Sequence, residues 1–498
     1  MTENIVFPII HWNLISLELL IAITLTLLVV IDVLLPKAQK DWIGILSFIG
    51  LLGMIGFWLT QRNLVGETFS GMFIMDSLAW FFKGFFLLTM VFVFAMTQQF
   101  FEGSGTFQTP HPERSEGSPK RRNEFYLLLW LALLGMCFMA SSGDFLLLFI
   151  ALEILTISLY VMTAYLKSDK HSLEAGMKYL ILGALASGFF LYGVSFLYGA
   201  THSTNFKIIH EYVSTNPMSP MILFGLVLIF ATVGFKIASV PFHLWVPDVY
   251  QGAPTPVTAL LSVGSKAAGF VILIRLFFGI FTSWHGEWSL PLAVLSAVTM
   301  CYGNLVAIAQ TNIKRLLGYS SIGHAGYLLM GAVAGSALGA SAINFYLLGY
   351  LFTNLAVFFV IVLYFIVSNS DEIEDYSGLS QRSGLLACVL FIALMSLAGV
   401  PPLAGFFGKF TLLVVTVKSG LLWLAFIGAI NIIISLYYYL LIVKRLYIDP
   451  PRVTSPIVVS WPIRLILWVA VVGIVAIGVF QGPFLDAAMT AVKGMYHL

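Results

Sequence analysis

The stretch MILFGLVLIFATVGFKIASVPFHLWVPDVYQGAPTPVTALLSVGSKAAGFVILI, residues 221–274, decides how the rest of the chain is read. It opens with an apolar run long enough to cross a membrane as a helix, and that run contains Lys236. Pro241, Pro247, Pro254 and Pro256 follow in close succession. Each removes a backbone donor and clashes with the preceding turn, so no regular helix continues through them. A second apolar run then takes over and carries Lys266. A span, a break and another span, each with a lysine well inside it, is a membrane pattern built around an ionisable interior.

The whole chain has the same character. Of 498 residues, 59% are hydrophobic and 10% charged, with a mean hydropathy of +0.96, against roughly 25% charged residues in a soluble domain. Apolar runs with polar punctuation fall near residues 10–35, 42–60, 75–100, 125–141, 144–166, 173–200, 218–240, 255–281, 289–310, 315–335, 341–368, 384–417, 420–446 and 462–484. The expected fold is therefore all-α and polytopic, with about fourteen transmembrane helices. The first carries Glu18 and Asp32 and is too long for a signal-peptide core, so it is expected to be retained. A net charge of +2 makes no electrostatic case for nucleic acid. Cys137, Cys301 and Cys388 are far apart in apolar segments, which suits packing and lacks the clustering that zinc or an iron–sulfur cluster needs.

Basic residues orient the spans. Lys37 and Lys40, Arg114 to Arg122, Lys167 and Lys170, Lys314 and Arg315, Arg382, and Lys444 to Arg452 all follow odd-numbered spans. The opposite side holds only Arg62, Lys207, Lys418 and Lys493. The positive-inside rule makes the odd loops cytoplasmic and puts both termini on the other face of the membrane. One cytoplasmic connection, within 103–123, reads HPERSEGSPKRR, too polar to bury a core, and is expected to be a disordered insert.

A faint internal echo supports a repeat. Ala238-Ser239-Val240-Pro241 resembles Ala398-Gly399-Val400-Pro401, and each marks a broken span with a lysine nearby. Five spans separate them, and an odd count turns the second unit upside down relative to the first, the inverted-repeat logic of ion-coupled transporters.

The ionisable residues inside spans carry the chemistry: Glu153, Lys236, Lys266 and Lys409. Each would cost roughly 2.5–3.5 kcal/mol against lipid, so all four must face protein, water or one another. One reading makes them structural ion pairs that set helix register, but three lysines cannot all be neutralised by one glutamate. Burial disfavours an ammonium and a nearby carboxylate favours it, so a lysine balanced between the two can load and release a proton. Glu153 is expected to pair with Lys236, with a lateral row running through Lys266 to Lys409. His324, central in SSIGHAGYLLMG, either relays protons or simply bonds a neighbouring helix. Glu174 and Lys178 lie four apart on one helix face and form either a local ion pair or part of the relay. Asp76 and Lys83 are expected to pair or to snorkel to the interface. His243 and Asp248 flank the first break, where freed backbone groups need partners or water. Gly331, Gly335 and Gly339 form a small-residue packing stripe. The sequence lacks a dinucleotide fingerprint, a P-loop and a cysteine cluster, so the energy for ion movement must come from a gradient or a partner.

Residues 241–270, with DVYQGAPTPV and the SKAA lysine, resemble the core signature of the proton-antiporter family shared by complex I antiporter-like subunits and multisubunit cation/proton antiporters. SLEAGMKY (172–179), NIKRLLGYSSIGHAGYLL (312–329) and SLAGVPPLAGFFGKF (396–410) extend the likeness, which is nearest to the subunit N branch. The resemblance implies a subdivision into an N-terminal three-helix segment (1–100), the insert (101–124), a first repeat (125–281), a second inverted repeat (289–446) and a C-terminal span and tail (462–498). It places the functional positions on Glu153, Lys236, Lys266 and Lys409, with Glu124, Glu174 and Lys178 secondary. It implies a proton-translocating subunit of NADH:quinone oxidoreductase in a bacterial cytoplasmic membrane, surrounded by lipid and by M- and K-type subunits. No cofactor is expected in this chain, and NADH, FMN, iron–sulfur clusters and quinone would belong to partner subunits. The competing readings are a subunit of a sodium/proton antiporter and a structural spacer whose charges only hold neighbours together.

Overall fold

The computed structural model describes residues 10–35, 42–106 and 119–497. The chain runs α1 (Ser16–Leu34), α2 (Trp42–Thr60), a hairpin of β1 (Gly66–Thr68) and β2 (Phe73–Met75), α3 (Ser77–Thr106), α4 (Pro119–Ala140), α5 (Phe145–Thr163), α6 (Lys170–Thr201), α7 (Phe206–Thr215) and α8 (Pro220–Ile237). It continues through α9 (Val246–Gly252), α10 (Thr255–Ile280), α11 (His285–Ala307), α12 (Ile313–Val333), α13 (Ala337–Ser368), α14 (Gly384–Ala398), α15 (Ala404–Lys418), α16 (Leu422–Tyr447), α17 (Trp461–Val479) and α18 (Gln481–Lys493). The hairpin pairs Gly66 with Met75 and Thr68 with Phe73 in antiparallel register.

Twelve helices among the described residues are long and apolar enough to cross a membrane. The two remaining expected spans differ for physical reasons. One is α12, in which every residue from Leu316 to Val333 is buried, so it can be more polar because it meets protein rather than lipid. The other is broken into α14 and α15. Helices α3 and α4 extend into the region read as an insert, to Thr106 and from Pro119, and the expected disorder of 107–118 lies outside the described residues.

Polar residues start the spans. Asp144, Asp169, Ser219, Asn312 and Ser336 each accept a bond from a first-turn amide of α5, α6, α8, α12 and α13, satisfying donors that have no intrahelical partner. Burial then sorts the bundle. The apolar core of α10 is wholly buried, whereas α1 and α6 turn Ile23, Leu27, Ile181 and Leu185 outward, as lipid-facing helices do. Trp12, Trp42 and Trp461 are exposed near helix ends, where an aromatic belt sits.

Both breaks have the expected position and similar geometry. Helix α8 ends at Ala238 with φ 65° and α14 at Gly399 with φ 90°, both left-handed, and each is followed by a cis peptide bond, Val240–Pro241 and Pro401–Pro402. Spans alternate in direction, so breaks five spans apart run opposite ways. The expected glycine stripe is not one helix face: Gly335 lies in the turn between α12 and α13 with φ 56°, while a Cβ on Gly339 would lie 2.3 Å from the Gly331 carbonyl oxygen, so the two helices touch backbone to backbone at those two glycines. The three cysteines are free and separate.

A candidate proton path through buried lysines

Four helices place the charged row. Helix α8 carries Lys236 in its last turn, α10 carries Lys266 directly after a π-helical turn at Leu261–Ser265, and α15 carries Lys409. Each of the three lysines is only 2% exposed. Such π turns loosen the i to i−4 ladder and recur at functional sites. Helix α5 presents Glu153, which is half-buried.

The expected Glu153–Lys236 ion pair is absent. Lys236 Nζ donates to Thr156 Oγ1, and Glu153 Oε1 accepts from Ser187 Oγ at 2.5 Å. Thr156 lies three residues beyond Glu153 on the same face of α5, so the ammonium stands one turn from the carboxylate without touching it. The two groups are adjacent and unpaired because each has a hydroxyl closer to hand.

Lys236 and Lys266 are neighbours through their helices. A Cβ on Gly269, one turn past Lys266, would meet Lys236 Cβ at 3.2 Å. Lys266 Nζ donates to the carbonyl of Ser321 on α12 at 2.5 Å. Three residues further along α12, His324 bonds Tyr346 Oη through Nδ1 and Tyr439 Oη through Nε2 at 3.2 Å, and Tyr439 bonds Ser320 in turn. Lys409 completes the row. Its Nζ reaches back across the break to the carbonyls of Leu397 at 2.7 Å and Ala398 at 3.0 Å, and lies 5.0 Å from the Tyr327 ring of α12. An ammonium on the last carbonyls of α14 satisfies acceptors that the break orphaned. Gly399 permits this approach, since a Cβ there would press on Lys409 Cδ at 3.1 Å. The lysine therefore precedes the break in α8 and follows it in α14–α15. Helix α12 is the common element, touched by Lys266 on one side and Lys409 on the other. A cavity of about 10 Å³, near the lower limit for one water, is lined by His324, Tyr350, Ser396 and Leu397. Among the described residues, none of the three lysines makes a salt bridge.

The remaining charged residues sort differently from the sequence reading. Glu174 and Lys178 do pair, at 2.6 Å, but Lys178 also bonds Asp248 at 2.7 Å, and Asp248 holds Arg315 at 2.7 Å. This junction ties α6, α9 and α12 together next to the first break. Burial pushes the Asp248 carboxyl up, but its bonds to Lys178 and Arg315 outweigh that and hold it below the usual carboxylate range. Asp76 and Lys83 do not pair. Asp76 takes a two-pronged bond from Arg275 at 2.9 and 3.1 Å, whose Nε also donates to the Ala140 carbonyl at 2.7 Å. Lys83 pairs with Glu18 at 2.7 Å, both side chains fully buried. Their chain positions conceal these pairs, because each partner lies on a sequence-distant helix. Glu124 is exposed on α4, and the structure does not bring it to the row. His243 is buried against the Tyr302 ring at 4.4 Å, with neither ring nitrogen bonded to a partner among the described residues. Thr156, Ser187, Ser321, Tyr346 and Tyr439 were not singled out in the sequence. The one available signal was spacing, since Thr156 and Ser321 each stand three residues from a charged or titratable group. Among the described residues there is no cluster of His, Cys, Asp or Glu that would hold a metal ion.

Two broken spans, a central helix with a π turn and a file of buried lysines define an antiporter-like class of polytopic membrane protein. The profile of the family described as NADH:quinone oxidoreductase/Mrp antiporter, TM, matches residues 142–435. NADH-quinone oxidoreductase subunit N of Desulforamulus reducens is 39% identical over 97% of this chain and 98% of its own. Among solved structures, a chain of respiratory complex I from Thermus thermophilus with bound Aureothin is 30% identical with a TM-score of 0.79, covering 94% of this chain and 98% of that one. A chain of the Mrp complex from a Dietzia species aligns with a TM-score of 0.84 at 20% identity, covering 98% of each, and so shares the fold. The chain belongs to the NADH:quinone oxidoreductase/Mrp antiporter family, in its subunit N branch.

Proposed function

We propose that this chain moves protons across a bacterial cytoplasmic membrane as a membrane-arm subunit of NADH:quinone oxidoreductase, through Glu153, Lys236, Lys266, His324 and Lys409. Electron transfer in partner subunits drives it, and NADH, FMN, iron–sulfur clusters and quinone are held there. Residues 125–281 and 289–446 act as the two inverted units, each with one broken span, and M- and K-type subunits flank the chain. Both termini lie on the non-cytoplasmic side, a reading supported by the basic loops after odd-numbered spans. The Glu174–Lys178–Asp248–Arg315 junction sits on the cytoplasmic side, where it holds the first break in place.

The observation that carries the reading is that three lysine amines are buried inside the bundle without a carboxylate in contact, and two of them approach one helix that presents a doubly bonded histidine. A purely structural role would favour closed ion pairs, because a buried unpaired charge costs several kcal/mol. The relatives at 38–40% identity are quinone-oxidoreductase subunits, whereas the Mrp likeness is one of fold, so the redox-driven reading stands ahead of the sodium/proton antiporter. Reconstituting the assembled complex with Lys236→Ala tests it by following NADH oxidation and vesicle acidification together. Both rates fall in parallel if the path is right, and wild-type rates of both NADH oxidation and acidification remove Lys236 from it.

A further inference from the structure

A groove of about 890 Å³ opens on the outer face between α1, α4, α5 and the start of α6. Its walls are hydrocarbon, with Leu25 and Val29 on one side and Leu127, Leu128, Leu131 and Val161 on the others. Glu124 and Lys167 also line it, both exposed, and neither makes an ion pair or hydrogen bond among the described residues. Glu124 and Leu131 are seven residues apart on α4, about 10 Å along the helix, so the charges crowd one end and the apolar wall runs away from them. Asn123 donates to Asp32 at 2.7 Å and holds α4 against α1, which keeps the groove formed without a ligand.

This polarity selects an amphiphile lying along the membrane normal, with its head at the rim where Lys167 and Glu124 stand. The volume is within the range of about 300–1,000 Å³ for ligand sites. The two charges have opposite sign, which narrows the head further. A phosphate meets Lys167 and an ammonium meets Glu124, whereas a wholly anionic head would set a negative charge against Glu124, and an apolar helix seated there would leave both charges unmatched. We infer that the groove is a specific site for one phosphatidylethanolamine molecule, its phosphate on Lys167, its ammonium on Glu124 and an acyl chain along α1 and α4. The inference is independent of the proton path, because it rests on neither the lysine row nor electron transfer.

The test counts lipid retained on the purified assembled complex by native mass spectrometry, after incubation with mixed micelles of dioleoyl phosphatidylethanolamine or dioleoyl phosphatidylglycerol. The wild-type complex is expected to hold one additional phosphatidylethanolamine and no additional phosphatidylglycerol. Lys167→Ala and Glu124→Gln each weaken retention about fivefold, the scale of one charge near a headgroup, and Glu124→Gln also admits phosphatidylglycerol. Leu128→Trp fills the groove and abolishes retention with both charges in place. Lys207→Ala, an exposed lysine on α7, leaves it unchanged. Equal retention by wild type, Lys167→Ala and Leu128→Trp would overturn the assignment. So would equal retention of the two lipids by the wild type, or a neighbouring subunit's helix occupying the groove in the assembled complex.

Discussion

Lys236 is hydrogen-bonded to Thr156 and stands one helical turn from Glu153 without contacting it. The arrangement is an open ion pair held apart by a hydroxyl, and the hydroxyl is the part that can be removed cleanly. Thr156→Val keeps the shape and deletes the acceptor, leaving a buried ammonium short of a partner at a cost of about 1–3 kcal/mol. Lys236 is then expected to close onto Glu153, and coupled turnover of the assembled complex falls about tenfold, while Thr156→Ser stays near wild type. Equal rates for the two variants would show that the hydroxyl does not hold the pair open.

At the second break Lys409 bonds the carbonyls of both Leu397 and Ala398. Lys409→Met removes a charge-assisted donor worth about 1.5–3 kcal/mol and leaves the end of α14 uncapped. Proton movement is expected to drop at least tenfold, with electron transfer falling in step. Lys409→Arg restores the cap but not a group able to release its proton, so it should recover assembly and not pumping. Recovery of pumping by the arginine variant would make the residue a cap alone.

Arg275 and Asp76 lie 199 residues apart in sequence and form a buried two-pronged pair. Asp76 also caps α3 through the Ala79 amide at 2.7 Å, so the pair fastens α10, the helix of Lys266, to the N-terminal segment. Arg275→Met strands a buried carboxylate, and about 3–5 kcal/mol of stability should be lost. The double variant Arg275→Met, Asp76→Asn should lose less, because no charge is left unpaired. Thermal unfolding of the purified complex, or the fraction that assembles, reads both.

Asp248 is held below its ordinary range by Lys178 and Arg315. A carboxyl whose folded value is depressed contributes stability that is fully present above its unfolded value, near 3.9, and is lost as pH falls through the folded value. The stability difference between wild type and Asp248→Asn is therefore expected to be flat from roughly pH 5 to 8 and to shrink below roughly pH 4. Side-chain exposure of about a third at Asp248 and Arg315 keeps the difference small. A difference that grows on acidification would contradict the assigned contacts.

Much of the architecture was legible before any coordinates. Runs of apolar residues must cross a bilayer as helices, prolines must break them, and a lysine inside such a run must face inward, because hydrocarbon satisfies neither backbone groups nor charge. Those three rules located the spans, both breaks and the row from Glu153 to Lys409.

Partnership belonged to the tertiary structure. A hydrogen bond reaches about 3 Å, so its formation depends on how each helix is rotated and how deep it sits, and neither is written in the spacing of one segment. Spacing suggested that Asp76 would meet Lys83, but the packing of α1, α3 and α10 gave them Arg275 and Glu18 instead. The same rotation gave Lys236 a threonine hydroxyl in place of Glu153, and turned Glu124 outward to an apolar groove. The sequence alone decided which residues had to be buried, because the solvent imposes that on every span. Only the fold decided which buried groups touch.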